Sequence, residues 1–178
     1  MRQLTLSQNN LQDTGALRLS EMLSTNSTLK VLVLVGNSIG ALGASHIAES
    51  LKHNRSLKVI DLTRNFIGDG GAMKLGEALI VNDALEKLDL AGNLIENDGI
   101  VSIGKALRKN VCLKELNLCW NLFDLDGAKS LAQSMKENTS LTRLNIDANT
   151  FSIGDIKPEF LNPNIIASDP WASANFLS

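Results

Sequence analysis

Five features of this 178-residue chain have residue types and spacings that could do chemistry. Asp61 and Asp89 would lie near each other if they occupied neighbouring strands, and paired carboxylates are what general acid–base catalysis needs, because one charge raises the pKa of the other. His46 and His53 stand seven apart, as do Cys112 and Cys119, so metal or redox chemistry has to be considered. Gly68-Asp69-Gly70-Gly71 has the glycine density of a phosphate-cradling loop. Trp120 carries an indole, the side chain most often found as an interface anchor.

Four of the five fail on inspection. The two histidines have no Asp, Glu or Cys at ligand spacing, so no metal site is expected. Two cysteines cannot supply a disulfide framework or a multi-cysteine zinc site, and they fit a reducing compartment. The glycine cluster lacks the Lys-Ser/Thr of a P-loop, and its counterparts elsewhere in the chain are not glycine-rich. Serines are scattered without a nucleophile elbow. Asp61 and Asp89 are separated by 28 residues, the period of the whole chain, so their adjacency follows from a repeat; it should raise one pKa modestly. The expected protein is therefore noncatalytic, with no cofactor and no metal, and Trp120 remains.

The elements that position these residues follow from that period. LKVLVLVGN (29–37), LKVIDLTRN (57–65), LEKLDLAGN (85–93), LKELNLCWN (113–121) and LTRLNIDAN (141–149) align at an offset of 28 without insertion, and QLTLSQN (3–9) is a partial sixth copy. Leu occurs 30 times and Asn 18 times, while Tyr is absent. Within each copy the pattern changes. Leu32-Val33-Leu34-Val35 alternates with period two, whereas Ala44, Ile47, Ala48 and Leu51 recur at i, i+3, i+4 and i+7. Each unit is thus a strand followed by a helix of about three turns. Strands are expected near 3–7, 31–35, 59–63, 87–91, 115–119 and 143–147.

Punctuation residues recur with the same period. Asp13, Asp69 and Asn97 stand where helices should begin and are expected to cap them, although Ala41 and Leu125 in the same column cannot. Asn26, Asn54, Asn82, Asn110 and Asn138 follow each helix and are expected to close it in left-handed conformation. Asn9, Asn37, Asn65, Asn93, Asn121 and Asn149 follow each strand, where an amide side chain can satisfy the donors and acceptors of a buried turn, forming a structural ladder. Gly15, Gly43, Gly71, Gly99 and Gly127 are expected to let each helix approach its strand closely.

The pattern LxxLxLxxN followed by I-x3-G-A-x2-L-x3-L resembles the ribonuclease-inhibitor class of leucine-rich repeats over residues 1–150. That resemblance implies an α/β fold: a right-handed solenoid, or horseshoe, with a parallel sheet on the concave side and helices on the convex side. It also implies protein binding through the concave face. The same class occurs in ribonuclease inhibitor, in NOD-like receptors, in the Ran GTPase activator and in proteins of cilia and flagella. This chain lacks the cysteine richness of ribonuclease inhibitor and the strongly acidic tail of the Ran activator, since residues 151–178 hold three acids against Lys157.

If the leucines face the core, the residues between them line the concave face. The candidate partner-binding residues are Trp120, Arg64, Asp61, Asp89, Lys87, Glu115, Asn117, Arg143, Val33 and Val35. With 17 Lys+Arg against 19 Asp+Glu, a nucleic-acid partner is not expected, and neither a signal peptide nor a membrane-spanning run is visible. The reading is a cytoplasmic scaffold, with nuclear or ciliary sites as alternatives, binding a protein partner as a monomer or as part of a larger chain or complex. The alternatives are a small-GTPase regulator of the Ran-activator kind and an architectural subunit of a ciliary or cytoskeletal assembly. After 150 the period fails and Pro158, Pro163 and Pro170 cluster, so 151–178 is expected to be an irregular cap or tail.

Overall fold

The computed structural model describes residues 1–151; the expected cap or tail lies, beyond Phe151, outside the described residues. Strands and helices alternate: β1 (Gln3–Thr5), α1 (Gln12–Thr25), β2 (Val31–Val33), α2 (Ala41–His53), β3 (Val59–Asp61), α3 (Gly68–Val81), β4 (Lys87–Asp89), α4 (Asn97–Leu107), β5 (Glu115–Asn117), α5 (Leu125–Met135) and β6 (Arg143–Asn145). The strands form one parallel sheet in chain order, with every residue paired to its counterpart 28 positions away. Each strand has three residues, beginning where the five-residue windows begin.

Helices are about 10 Å across while strands repeat at about 4.8 Å, so stacking one of each per rung curls the array with the sheet inside. The core runs along its whole length. Leu32, Ile60, Leu88 and Leu116 in one column and Leu34, Leu62, Leu90 and Leu118 in the next are all wholly buried. Leu4 and Leu6 of the first rung are only partly buried. At the other end Phe151 lies against Phe123, with ring centroids 5.6 Å apart.

The post-strand asparagines form the expected ladder, and their bonds cross between rungs. Asn65 Oδ1 accepts from the Asn37 and Ile39 amides of the preceding rung, both at 3.0 Å, and its Nδ2 donates to Leu34 O and Leu62 O. Asn121 repeats this with Asn93, Ile95, Leu90 and Leu118.

Three expectations about helix ends need correction. The post-helix asparagines are not left-handed: Asn26, Asn54 and Asn82 are extended, with φ between −74° and −79°. They form a second ladder instead. Asn82 Nδ2 donates to Leu51 O and Asn54 O one rung back, while its Oδ1 accepts from the Ala84 and Leu85 amides. Asn110 and Asn138 lie two residues beyond Arg108 and Lys136, the residues that close α4 and α5.

Nor do Asp13, Asp69 and Asn97 cap their own helices. Asp13 Oδ1 accepts from Gly40 N, Asp69 Oδ1 from Glu96 N and Gly99 N, and Asn97 Oδ1 from Asp124 N, always at the start of the following helix. Among the described residues, only Asp124 caps the helix it precedes, accepting from the Asp126 and Gly127 amides. Helix starts that receive such an oxygen, at Gly40, Glu96 and Asp124, are extended. The two that receive none are built differently. Gln12 and Gly68 are left-handed, with φ of 55°, and their amides donate to Asn37 O and Asn93 O of the next rung. Ala41, which has no oxygen to give, explains the Gly68 case.

Finally, the column glycines admit the neighbouring helix rather than the strand. A Cβ on Gly71 would meet Ile67 Cγ2 at 2.5 Å and Ala44 Cβ of α2 at 2.8 Å; one on Gly99 would meet Asp69 Oδ1 at 2.5 Å.

Candidate functional site

Three columns of side chains rise from the concave face of the sheet, and they differ in what they can offer a partner. The first contains Val31, Val59, Lys87, Glu115 and Arg143. Glu115 lies between Lys87 and Arg143, 3.4 Å from each, so these three candidate specificity charges are joined in one chain of ion pairs across β4, β5 and β6. Val31, Val59 and Val35 are half-buried.

The second column does not face open solvent as strand alternation predicts. Val33, Asp61, Asp89 and Asn117 are all buried. The cause is the short strand: each polar member turns its oxygen to the amide two residues on and closes the strand end. Asp61 Oδ1 accepts from Thr63 N, Asp89 Oδ1 from Ala91 N and Asn117 Oδ1 from Cys119 N. Asn117 Nδ2 also donates to Asp89 Oδ2 at 3.0 Å.

This burial sets the electrostatics. Asp89 is pushed up to about 6, first by burial and second by the charge of Asp61 beside it, against the opposing hydrogen bonds from Ala91, Asn117 and Thr63. Asp61 is raised by burial, partly offset by Thr63. The Cys119 thiol is pushed up to about 11 by burial and by Asp89, the opposite of an activated nucleophile. The carboxylate pair aligned in β3 and β4 is therefore perturbed mainly by desolvation, more than by mutual repulsion. No group of three or more His, Cys, Asp or Glu could hold a metal ion among the described residues.

Beyond the strands, Gln8, Gly36, Arg64, Gly92, Trp120 and Ala148 form a column in which every residue is left-handed, with φ from 54° to 65°. Here the chain turns to deliver the asparagine behind it into the ladder. Arg64 and Trp120 are both exposed, Trp120 at 72%, with Gly92 between them. The Trp120 backbone is fixed by its amide donating to Asp147 O at 3.1 Å, so the indole projects from a determined position.

Sequence reasoning missed the column just after the ladder: Phe66, Leu94 and Leu122 are exposed apolar residues on three consecutive rungs. The available signal was the contrast with their polar counterparts Asn10, Ser38 and Thr150.

Comparison with known proteins agrees with this architecture. No curated protein matches the sequence. Among solved structures, the actin-binding site 2 region of leiomodin-1 is 26% identical with a TM-score of 0.56, over 63% of this chain and 64% of that one, so the chain spans less than two thirds of it. The C-terminal domain of Caenorhabditis elegans tropomodulin is 14% identical with a TM-score of 0.63, over 78% of this chain and 84% of that one. The yeast Rad7 and Elc1 complex gives 18% identity and a TM-score of 0.66, over 94% of this chain and 40% of that one. The latter two likenesses show a shared fold. The family described as Leucine Rich repeat matches residues 25–48, 53–76, 82–104 and 109–132, more than half of the sequence. Its repeats coincide with the observed strand-helix rungs, and the chain belongs to the leucine-rich repeat family.

Proposed function

We propose that the protein is a noncatalytic scaffold that holds a protein partner against its concave face, with Trp120 as the anchor and Arg64 two rungs away across Gly92. The observation that carries this reading is the exposed indole on a backbone fixed between two rungs. With the backbone already fixed, binding has only the two side-chain torsions of the indole to order, a small cost against the area it buries. The ion-paired triad of Lys87, Glu115 and Arg143 and the buried Asp61, Asp89, Asn117 and Val33 serve as the platform beneath it.

The test is affinity capture from cell lysate with wild type and with a Trp120→Ala, Arg64→Glu bait whose fold is checked by circular dichroism. A central aromatic anchor contributes about 2 kcal/mol or more, so the variant should lose roughly thirtyfold in affinity. Equal capture by both baits would remove Trp120 and Arg64 from the interface. A second reading, an architectural role in a cytoskeletal assembly, is favoured by the likeness to leiomodin-1 actin-binding site 2. Co-sedimentation with filamentous actin tests it directly, and protein that stays in the supernatant at micromolar actin would discard it.

A further inference from the structure

The chain leaving each of three consecutive strands alternates in exposure beyond the ladder. On the fifth rung Trp120, Leu122, Asp124 and Asp126 are exposed, while Asn121 and Phe123 between them are buried. On the fourth Leu94, Glu96 and Asp98 are exposed, with Asn93 and Ile95 buried, and on the third Arg64 and Phe66 are exposed. Stacking the rungs turns this alternation into two parallel rows along the rim of the solenoid. One is apolar: Phe66 at 60%, Leu94 at 51% and Leu122 at 45% exposure, with Trp120 flanking it at the concave edge. The other is acidic and lies toward the convex helices, formed by Glu96 and Asp98 on one rung and Asp124 and Asp126 on the next.

Capping accounts for only part of the acidic row. Asp124 accepts from backbone amides and from Asn97, and Asp126 pairs with Lys129 at 3.3 Å. Glu96 and Asp98 sit at the start of α4, where negative charge is mildly favourable. That favourable placement does not call for an exposed apolar row beside them. Three neighbouring apolar side chains facing water, bordered on the convex side by negative charge and on the concave edge by Trp120 and Arg64, is the arrangement of a recognition surface.

Resting on the binding reading above, we propose that this rim is the docking site for a basic amphipathic helix of a partner protein. Spacing and charge both select that occupant. Rungs repeat at about 5 Å, so Phe66, Leu94 and Leu122 span about 10 Å, which matches helix positions i, i+3 and i+7 at about 5.4 Å per turn. A strand presents same-face residues at about 6.6 Å and falls out of step by the third. A helix seated on the apolar row would bring the flank of its polar face against the four carboxylates, where Lys or Arg is favoured. The chain's own residues 152–178 are a poor match, since Asp155, Glu159 and Asp169 outnumber Lys157. The assignment extends the contact from the concave face onto the rim and places Trp120 where the two meet, at the edge of the docked helix.

The experiment uses the full chain and two labelled synthetic 18-residue peptides, one with a leucine face flanked by Lys and Arg, the other its twin with Glu in their place, followed by fluorescence anisotropy. The basic peptide should bind at least tenfold more tightly than its twin, gain helicity on binding, and weaken as salt is raised. Leu94→Gln with Leu122→Gln should cost at least tenfold; both sites are exposed, so the fold is retained. Glu96→Gln with Asp98→Asn should flatten the salt dependence, and Val59→Lys on the strand face should change nothing. Equal binding of both peptides, no binding of the basic one, or indifference to the Leu94 and Leu122 changes would overturn the rim assignment. Loss on Val59→Lys alone would overturn it too while leaving concave-face binding intact. In the free chain, nuclear Overhauser contacts from the Leu94 and Leu122 methyls to residues 152–178 would identify the tail as the occupant and equally overturn it.

Discussion

Replacing Asp89 by Asn should stabilise this protein at neutral pH and lose that advantage in acid. The carboxylate is 5% exposed and titrates at about 6, against 3.8 for the unperturbed group. Because the folded state binds the proton more tightly, this group's contribution to stability is fully present below the unfolded pKa and is lost as pH rises through about 6. Each pKa unit corresponds to about 1.4 kcal/mol, so keeping Asp89 ionised and buried costs about 3 kcal/mol at pH 7.5. The side-chain oxygen left by Asp89→Asn would still accept from Ala91 N, as that of Asn117 does from Cys119 N, but Asn117 Nδ2 would lose its acceptor, a loss of about 1 kcal/mol. The net gain is about 2 kcal/mol at pH 7.5. Urea unfolding of both proteins followed by circular dichroism, repeated from pH 4 to pH 8, measures the difference, which should shrink by about 2 kcal/mol at the acid end. A difference independent of pH would refute the argument, because it would mean that Asp89 ionises as freely in the folded chain as in the unfolded one.

Three further outcomes follow from the inter-rung bonds. Asn65→Ala strands two amides and the Leu34 carbonyl in the interior, Leu62 O keeping its bond from Asn93 Nδ2, and should cost about 3 kcal/mol by chemical denaturation, whereas an exposed ladder member such as Asn9 should cost under about 1 kcal/mol. Ala41→Asp supplies the oxygen that the third helix start lacks; it should convert Gly68 from left-handed to extended backbone, its amide exchanging Asn93 O for the new carboxylate, and stabilise by about 1 kcal/mol, seen as a raised urea midpoint and a changed Gly68 backbone coupling constant. Gly92→Ala forces a β-carbon into left-handed backbone beside Arg64 Cγ at 3.4 Å and should cost about 1 kcal/mol, seen as a lower melting temperature.

The strands, the helices and the ladder were legible because a strict period of 28 puts every copy of a position under the same constraint, and six copies reveal what one would hide. What stayed hidden lies between copies. Asp13, Asp69 and Asn97 read locally as caps for the helices they stand in, and nothing within one copy shows that their oxygens reach the next. Alternation tells on which side of a strand Asp61, Asp89 and Asn117 lie, but not that a three-residue strand ends soon enough for those side chains to fold back onto the amides two residues ahead. Trp120 stood out because an indole in a solvent-facing column is conspicuous by type. Phe66, Leu94 and Leu122 did not, because leucine and phenylalanine blend into a leucine-rich chain until their column is placed outside the core.

The two asparagine ladders also bear on how such a chain can change in length. Each rung finishes the backbone of its neighbour through bonds spanning 28 and 31 positions that recur every rung, and is finished in the same way by the next. A tandem duplication of 84 nucleotides therefore inserts a rung whose unmet groups already correspond to those on either side, so the seam closes without adjustment. An insertion of any other length within a rung displaces both ladders at once and leaves interior amides facing carbon. The protein's length is in this sense quantised, and ancestors and descendants of this chain should differ by whole rungs while its point changes accumulate on the rim and the concave columns.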